Sequence, residues 1–159
     1  MTGEHVLRIE DLWASVGGIG ILQGIDLEIL PNAEHFVSPR LFERVEQGSV
    51  VTIGGEGKWL LVELPWQSIP EPESVLFRLQ MKGYRLVLAH PERYQYVEPD
   101  MVERLVERGI KIQLELGSFV DVYGSRARKR AVKYADRGWG HVVATDMHRP
   151  EATEEWLGR

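Results

Sequence analysis

Two short apolar runs, residues 87–92 (V-L-A-H-P-E) and residues 142–148 (V-V-A-T-D-M-H), have the composition of buried strands, and both finish in side chains that can ligate a metal. A third run, residues 59–64, stops in the same manner at Glu63. Parallel strands present their carboxyl ends along one edge of a sheet, which is where α/β proteins place their ligands. The chain has no cysteine, so a metal held there would be bound by oxygen and nitrogen alone. This pattern points to a metal-dependent hydrolase.

Asp146 and His148 stand two residues apart, so continued strand geometry would put both on one face with room for an ion between them. The same pair also fits a capping aspartate and an incidental loop histidine. Pro91 is expected to hold His90 extended where its strand leaves the sheet, although a packed strand-end histidine is the plainer alternative. Glu63 interrupts an apolar run, and burying it unpaired would cost several kcal/mol, which predicts a partner or a metal. Asp26, between Ile25 and Leu27, raises the same question less sharply, because the alternation could put it on a solvated face.

The elements that must position these residues are legible in the text. Residues 20–30 alternate as a strand, and Ser38-Pro39 opens a short helix with Leu41, Phe42 and Val45 on its apolar side and Gly48 as its stop. Residues 50–53, Gly54-Gly55 and residues 59–64 read as strand, turn and strand. A helix over residues 74–82 follows the loop at Pro70 and Pro72. Then come strand 85–89, helix 99–108, strand 111–116, helix 125–137, strand 141–145 and a final helical stretch at 151–157. This alternation predicts right-handed βαβ units and a parallel sheet in a single α/β domain spanning residues 1–159.

With 159 residues the chain can bury a sizeable core, and its apolar runs fall well short of the roughly 20 residues a bilayer span requires. Residues 1–5 lack the basic and apolar regions of a secretory signal, so the expected location is cytoplasmic. The absence of cysteine excludes a thiol nucleophile. A net charge of −5 argues against nucleic acid as a partner. The basic residues Arg126, Arg128, Lys129, Arg130, Lys133 and Arg137 read as the solvated face of a helix, and the five tryptophans as core or rim packing.

From about Gly24 onward the chain resembles the PHP-type (polymerase and histidinol phosphatase) metal-dependent protein tyrosine phosphatases of bacterial capsule and exopolysaccharide loci. The resemblance is carried by Gly24-Ile25-Asp26, by Leu61 through Pro65, by Ala89-His90-Pro91-Glu92-Arg93-Tyr94, by Gln113 through Ser118, and by Ala144 through His148. It implies a distorted β/α barrel holding two or three metals, usually manganese, with Asp26, Glu63, His90, Asp146 and His148 as ligands. It implies that Arg93 grips phosphate, a task suited to a planar guanidinium. The implied partner is the phosphotyrosine-bearing tail of a bacterial tyrosine kinase.

Two departures accompany the resemblance. Asp26 stands where the family has glutamate, and the family's amino-terminal His-x-His and Thr-Pro-His strands have no counterpart here. The expectation is therefore a partial barrel lacking its first strands, with fewer ions and uncovered sheet edges open to self-association. The alternatives are a PHP-type phosphoesterase for a small metabolite and a non-catalytic remnant that binds a phosphorylated partner.

Overall fold

The computed structural model describes residues 7–16 and 19–146, with side chains in the stretch 7–28 described only at Glu10 and Asp26. Two sheets are present among these residues. Strands β1 (Leu7–Val16) and β2 (Ile19–Ile29) form an antiparallel pair. Strands β3 (Glu34–Phe36), β4 (Trp59–Glu63), β5 (Arg85–Ala89), β6 (Lys111–Glu115) and β7 (Gly140–Ala144) form a parallel sheet in sequential order. The expected α/β class and parallel sheet are present, and the strand order has no reversal. The final helix expected at 151–157 lies outside the described residues.

Helices α1 (Pro39–Glu46), α2 (Pro72–Met81), α3 (Pro99–Glu107) and α5 (Ser125–Asp136) connect the parallel strands, and a one-turn helix α4 (Leu116–Phe119) directly follows β6. Three of them begin on proline, whose fixed φ suits the first turn and whose missing N–H is not needed there. This is why α2 starts at Pro72, two residues before the expected Ser74. Gly109 closes the loop after α3 with φ +82°, a conformation that glycine adopts without strain.

The sheet sorts its side chains by twos. Leu60 and Val62 of β4, Leu86 and Leu88 of β5, and Ile112 and Leu114 of β6 enter a core shared with Leu41, Leu76, Leu79, Val102, Leu105 and Tyr134 of the helices. Each such side chain contributes about 1.5–3 kcal/mol of burial. The alternate residues Leu61, Val87 and Ala89 form a smaller cluster with Ile53 and Trp59. Glu63 follows Leu61 by two positions and Glu115 follows Gln113 by two, so both carboxylates belong to this second face at the carboxyl edge.

Three local expectations change. Residues 50–53 form no strand: the His35 Nε2 and the Val51 carbonyl are bonded at 2.7 Å, Gly55 N–H donates to Thr52 O, and Gly57 N–H donates to Thr52 Oγ1. These local partners, with Gly54 and Gly55 at positive φ, satisfy the chain as a turn. The strands that pair with β4 are instead β5 and β3, the latter only three residues long. The basic helix α5 is only partly a solvated face. Arg130 is buried and donates to Tyr94 O at 2.6 Å, and Arg126 donates to Gln95 O at 2.7 Å, so α5 grips the segment after β5 from outside.

Strand β7 carries one extra residue against β6, because Ile112 pairs with Gly140 while Gln113 pairs with Val142. The Ile112 N–H donates to the ring Nδ1 of His141 (3.2 Å), which stands in for a backbone acceptor. A Cβ at Gly140 would lie 2.6 Å from Leu114 Cδ1, so glycine is what allows the two strands to close there.

Candidate metal and phosphate site

Glu34 and Phe36 of β3, Glu63 at the end of β4, His90 just after β5 and Asp146 just after β7 meet at the carboxyl edge of the sheet. With Trp66 and Arg93 they line a cavity of about 330 Å³. Adjacent parallel strands deliver them: Phe36 is in register with Glu63, and His90 N–H continues the ladder by donating to Gln113 O at 2.9 Å.

Glu34, Glu63 and His90 each offer one ligand atom, all within 4.8 Å of one another. His90 Nε2 lies 3.3 Å from Glu34 Oε1 and 3.7 Å from Glu63 Oε1. Donors bound about 2.1 Å from one ion stand roughly 3–4 Å apart, as the His90 separations do, and one imidazole with two carboxylates is a donor set suited to a divalent cation of the manganese, iron or zinc type. The electrostatics agree with that fit. Burial and then the neighbouring Glu34 carboxylate push the Glu63 pKa up, so two acids are crowded where a cation would relieve them. Burial works against charging His90, but the hydrogen bond its ring donates to Glu34, together with the charges of Glu34 and Asp146, outweighs it and the imidazole pKa rises.

His90 is not extended. Its φ of +35° is a left-handed value, rare for histidine, and Arg93 N–H donates back to its carbonyl at 3.1 Å to close a turn over Pro91 and Glu92. The turn overrides the preference that proline imposes on its predecessor. Asp146 also has positive φ (+47°), so two strand-end residues of the cavity hold uncommon backbone conformations, as functional sites often do. Trp66 stacks on the His90 ring at 5.6 Å with 4° between planes, and Tyr94 lies beneath both rings while accepting the Leu64 N–H.

Arg93 is held by two carboxylates and two aromatic rings. Its NH1 donates to Glu115 Oε2 at 2.7 Å and to Asp146 Oδ2 at 3.0 Å. Its guanidinium lies 4.1 Å from the Tyr123 ring centre and 4.8 Å from that of Trp66. Glu115 is fully buried, and that burial raises its pKa against the opposing hydrogen bond from Tyr123.

Behind Glu115 stands Glu92, also buried, whose Oε1 accepts the Glu115 N–H and the Ser118 hydroxyl, both at 2.9 Å. Glu92→Leu should destabilise the fold by about 2–3 kcal/mol, since both donors lose their acceptor. Glu92→Gln retains that acceptor and should cost under half as much. Urea unfolding of the two variants measures the difference, and equal losses would mean that volume rather than hydrogen bonding matters there.

Of the ligands expected from sequence, Glu63, His90 and Asp146 share the cavity, and His148 lies outside the described residues. Asp26 is exposed on β2 and neither lines the cavity nor belongs to the triad. Its strand pairs with β1, with Ile25 and Leu27 in backbone register with Leu12 and Ile9, so it does not belong to the parallel sheet. Glu34, which the sequence reading did not single out, stands beside Glu63 and His90 in the triad that could hold an ion. Three residues too short for a visible alternation hid it, whereas Glu115 was detectable as the acid ending Ile112-Gln113-Leu114, the same pattern that marked Glu63.

The capsular polysaccharide synthesis family CpsB/CapC matches residues 9–155. The chain belongs to that family. Among CpsB/CapC relatives, it is 28% identical over 131 residues to the tyrosine-protein phosphatase YwqE of Bacillus subtilis, covering 80% of this chain and 51% of that one. It is 27% identical over 140 residues to the tyrosine-protein phosphatase CpsB of Streptococcus pneumoniae, covering 83% and 57%. Crystal structures of YwqE and CpsB, described as metal-dependent tyrosine phosphatases, include one that superimposes with a TM-score of 0.69 at 27% identity, covering 79% of this chain and 51% of that one. The chain spans about half the length of the CpsB/CapC relatives it matches.

Proposed function

We propose that this chain is the metal- and phosphate-binding part of a manganese-dependent phosphatase that hydrolyses phosphotyrosine on proteins in capsule or exopolysaccharide regulation. The observation that carries this reading is the convergence of Glu34, Glu63 and His90 beside Arg93 in one cavity. The names of the CpsB/CapC relatives support it. On the same reading the five parallel strands belong to a β/α barrel, the substrate is the phosphotyrosine-bearing tail of a bacterial tyrosine kinase, and the protein works in the cytoplasm. No helix among the described residues is long and apolar enough to cross a membrane.

Glu34, Glu63 and His90 would hold the cation, with Asp146 and His148 contributing to a neighbouring one. When bound, manganese supplies Lewis acidity toward water and the phosphoryl oxygens. The residues of the chain do the rest. Arg93 orients the phosphoryl group with the N–H donors that Glu115 and Asp146 do not occupy, and its two aromatic neighbours keep the guanidinium plane fixed. Asp146 and Glu115 keep Arg93 from swinging out of the mouth when no phosphate is present. Trp66 shields His90 from solvent.

The test is hydrolysis of a phosphotyrosine peptide by the purified chain with manganese, compared with phosphoserine peptide and with chelator. Manganese-dependent release from phosphotyrosine supports the reading. Bound manganese without turnover favours the non-catalytic alternative, and preference for small metabolite esters favours the metabolite phosphoesterase.

Manganese affinity should depend on pH through His90, which binds metal only as the neutral imidazole. Its pKa is raised above the ordinary 6.5, so protons begin to compete above that pH. Below the raised value, affinity should fall about tenfold per pH unit if one proton is displaced. Manganese titrations from pH 8 to pH 5.5 check this, and a flat profile would exclude His90 from the ion.

A further inference from the structure

Phe36 and Trp66 stand at the rim of the cavity, 49% and 50% exposed, whereas His90 on its floor is 1% exposed. Phe36 follows Glu34 by two residues on β3, so strand alternation turns its ring to the same side as that candidate ligand. Trp66 follows Glu63 by three residues, and its position is fixed in advance by stacking on His90 and by the Arg93 guanidinium over its ring. Phe36 has no ring partner among the described residues. Two half-exposed aromatic side chains therefore flank a deep cation and anion site, and one of them has an open face.

We propose that Phe36 and Trp66 are the specificity-determining walls of an aryl slot, which selects aryl over alkyl phosphate monoesters. This rests on the phosphatase reading above. A phosphate seated between His90 and Arg93 leaves its ester group emerging past the rim. Because Phe36 and Trp66 both line this cavity, a phenyl ring leaving it passes between them, and aromatic pairs favour offset or edge-to-face contact worth several-fold in affinity. The serine methylene is too short to reach them. Selection thus comes from depth and aromatic contact together, while phosphate binding itself is supplied by the floor.

The experiment measures binding of O-phosphotyrosine, O-phosphoserine and inorganic phosphate to the full chain with manganese present, by calorimetry or NMR titration. Wild type should bind phosphotyrosine more tightly than phosphoserine by about tenfold, and Phe36→Ala should weaken phosphotyrosine alone by about three- to tenfold. Phe36→Trp should restore the preference. Melting curves establish that each variant is folded, which the exposure of Phe36 favours. Equal affinity for the two phosphoamino acids in wild type, or a uniform loss for all three probes in Phe36→Ala, overturns the aryl slot and leaves the phosphatase reading standing. Failure to bind any of the three overturns both.

Discussion

Arg93→Ala is expected to lower phosphate-ester turnover by about 100- to 1,000-fold, the loss typical of removing one preorganised donor from a developing charge. From sequence, Arg93 was expected to serve phosphate rather than the fold. The structure gives it structural partners as well, because its removal takes an ion-pair partner from the buried Glu115 and from the partly buried Asp146. A stability loss of about 3 kcal/mol should therefore accompany the loss of turnover. The double variant Arg93→Ala/Glu115→Gln separates the two effects: it should regain most of the stability and none of the turnover. Arg93→Lys should keep part of the stability and little of the activity, since an ammonium lacks both the fork and the flat faces held by Trp66 and Tyr123. If turnover persists in Arg93→Ala while stability falls, the arginine is a salt-bridge residue and nothing more.

Manganese binding should single out Glu34 over Asp26. Saturating a folded protein with an ion at about 100 times its dissociation constant stabilises it by about 2.7 kcal/mol, which thermal unfolding resolves easily. Glu34→Gln, Glu63→Gln and His90→Ala should each lose that manganese-dependent rise in melting temperature. Asp26→Asn should retain it, because Asp26 is neither in the triad nor in the cavity lining. Retention in Glu34→Gln with loss in Asp26→Asn would restore the assignment suggested by sequence and reject the triad.

Much of this fold could be read from the text because its signals are local. The Pro39, Pro72 and Pro99 helix starts, the β4 and β5 apolar runs, and the strand-end acids and imidazole each follow from a few adjacent residues. What escaped was pairing. Residues 19–29 form a strand, as their alternation predicts, but a strand does not announce whether its partner is antiparallel β1 or parallel β4. With that choice Glu34, and not Asp26, stands beside Glu63 and His90. The left-handed φ of His90 was likewise hidden, since it results from the turn to Arg93 and the ladder to β6 rather than from its sequence neighbours. The partners of Arg93 come from three distant segments, and no spacing rule encodes them.

The additional residue in β7 governs parity. In a strand, side chains alternate sides, so an odd insertion exchanges which members of everything downstream look inward. With His141 looped into the ladder, the chain reaches the mouth with Asp146 toward Arg93. In an uninterrupted pairing Val143 would stand beside Glu115 in place of Ala144, and the residues after it would reach the mouth one position later in the count. The charge balance at the mouth thus depends on a count of residues about five positions upstream as well as on the ion pair Asp146 makes with Arg93. Among relatives of this chain, the length of the segment between Trp139 and Val142 should matter more to the site than the identity of most residues within it.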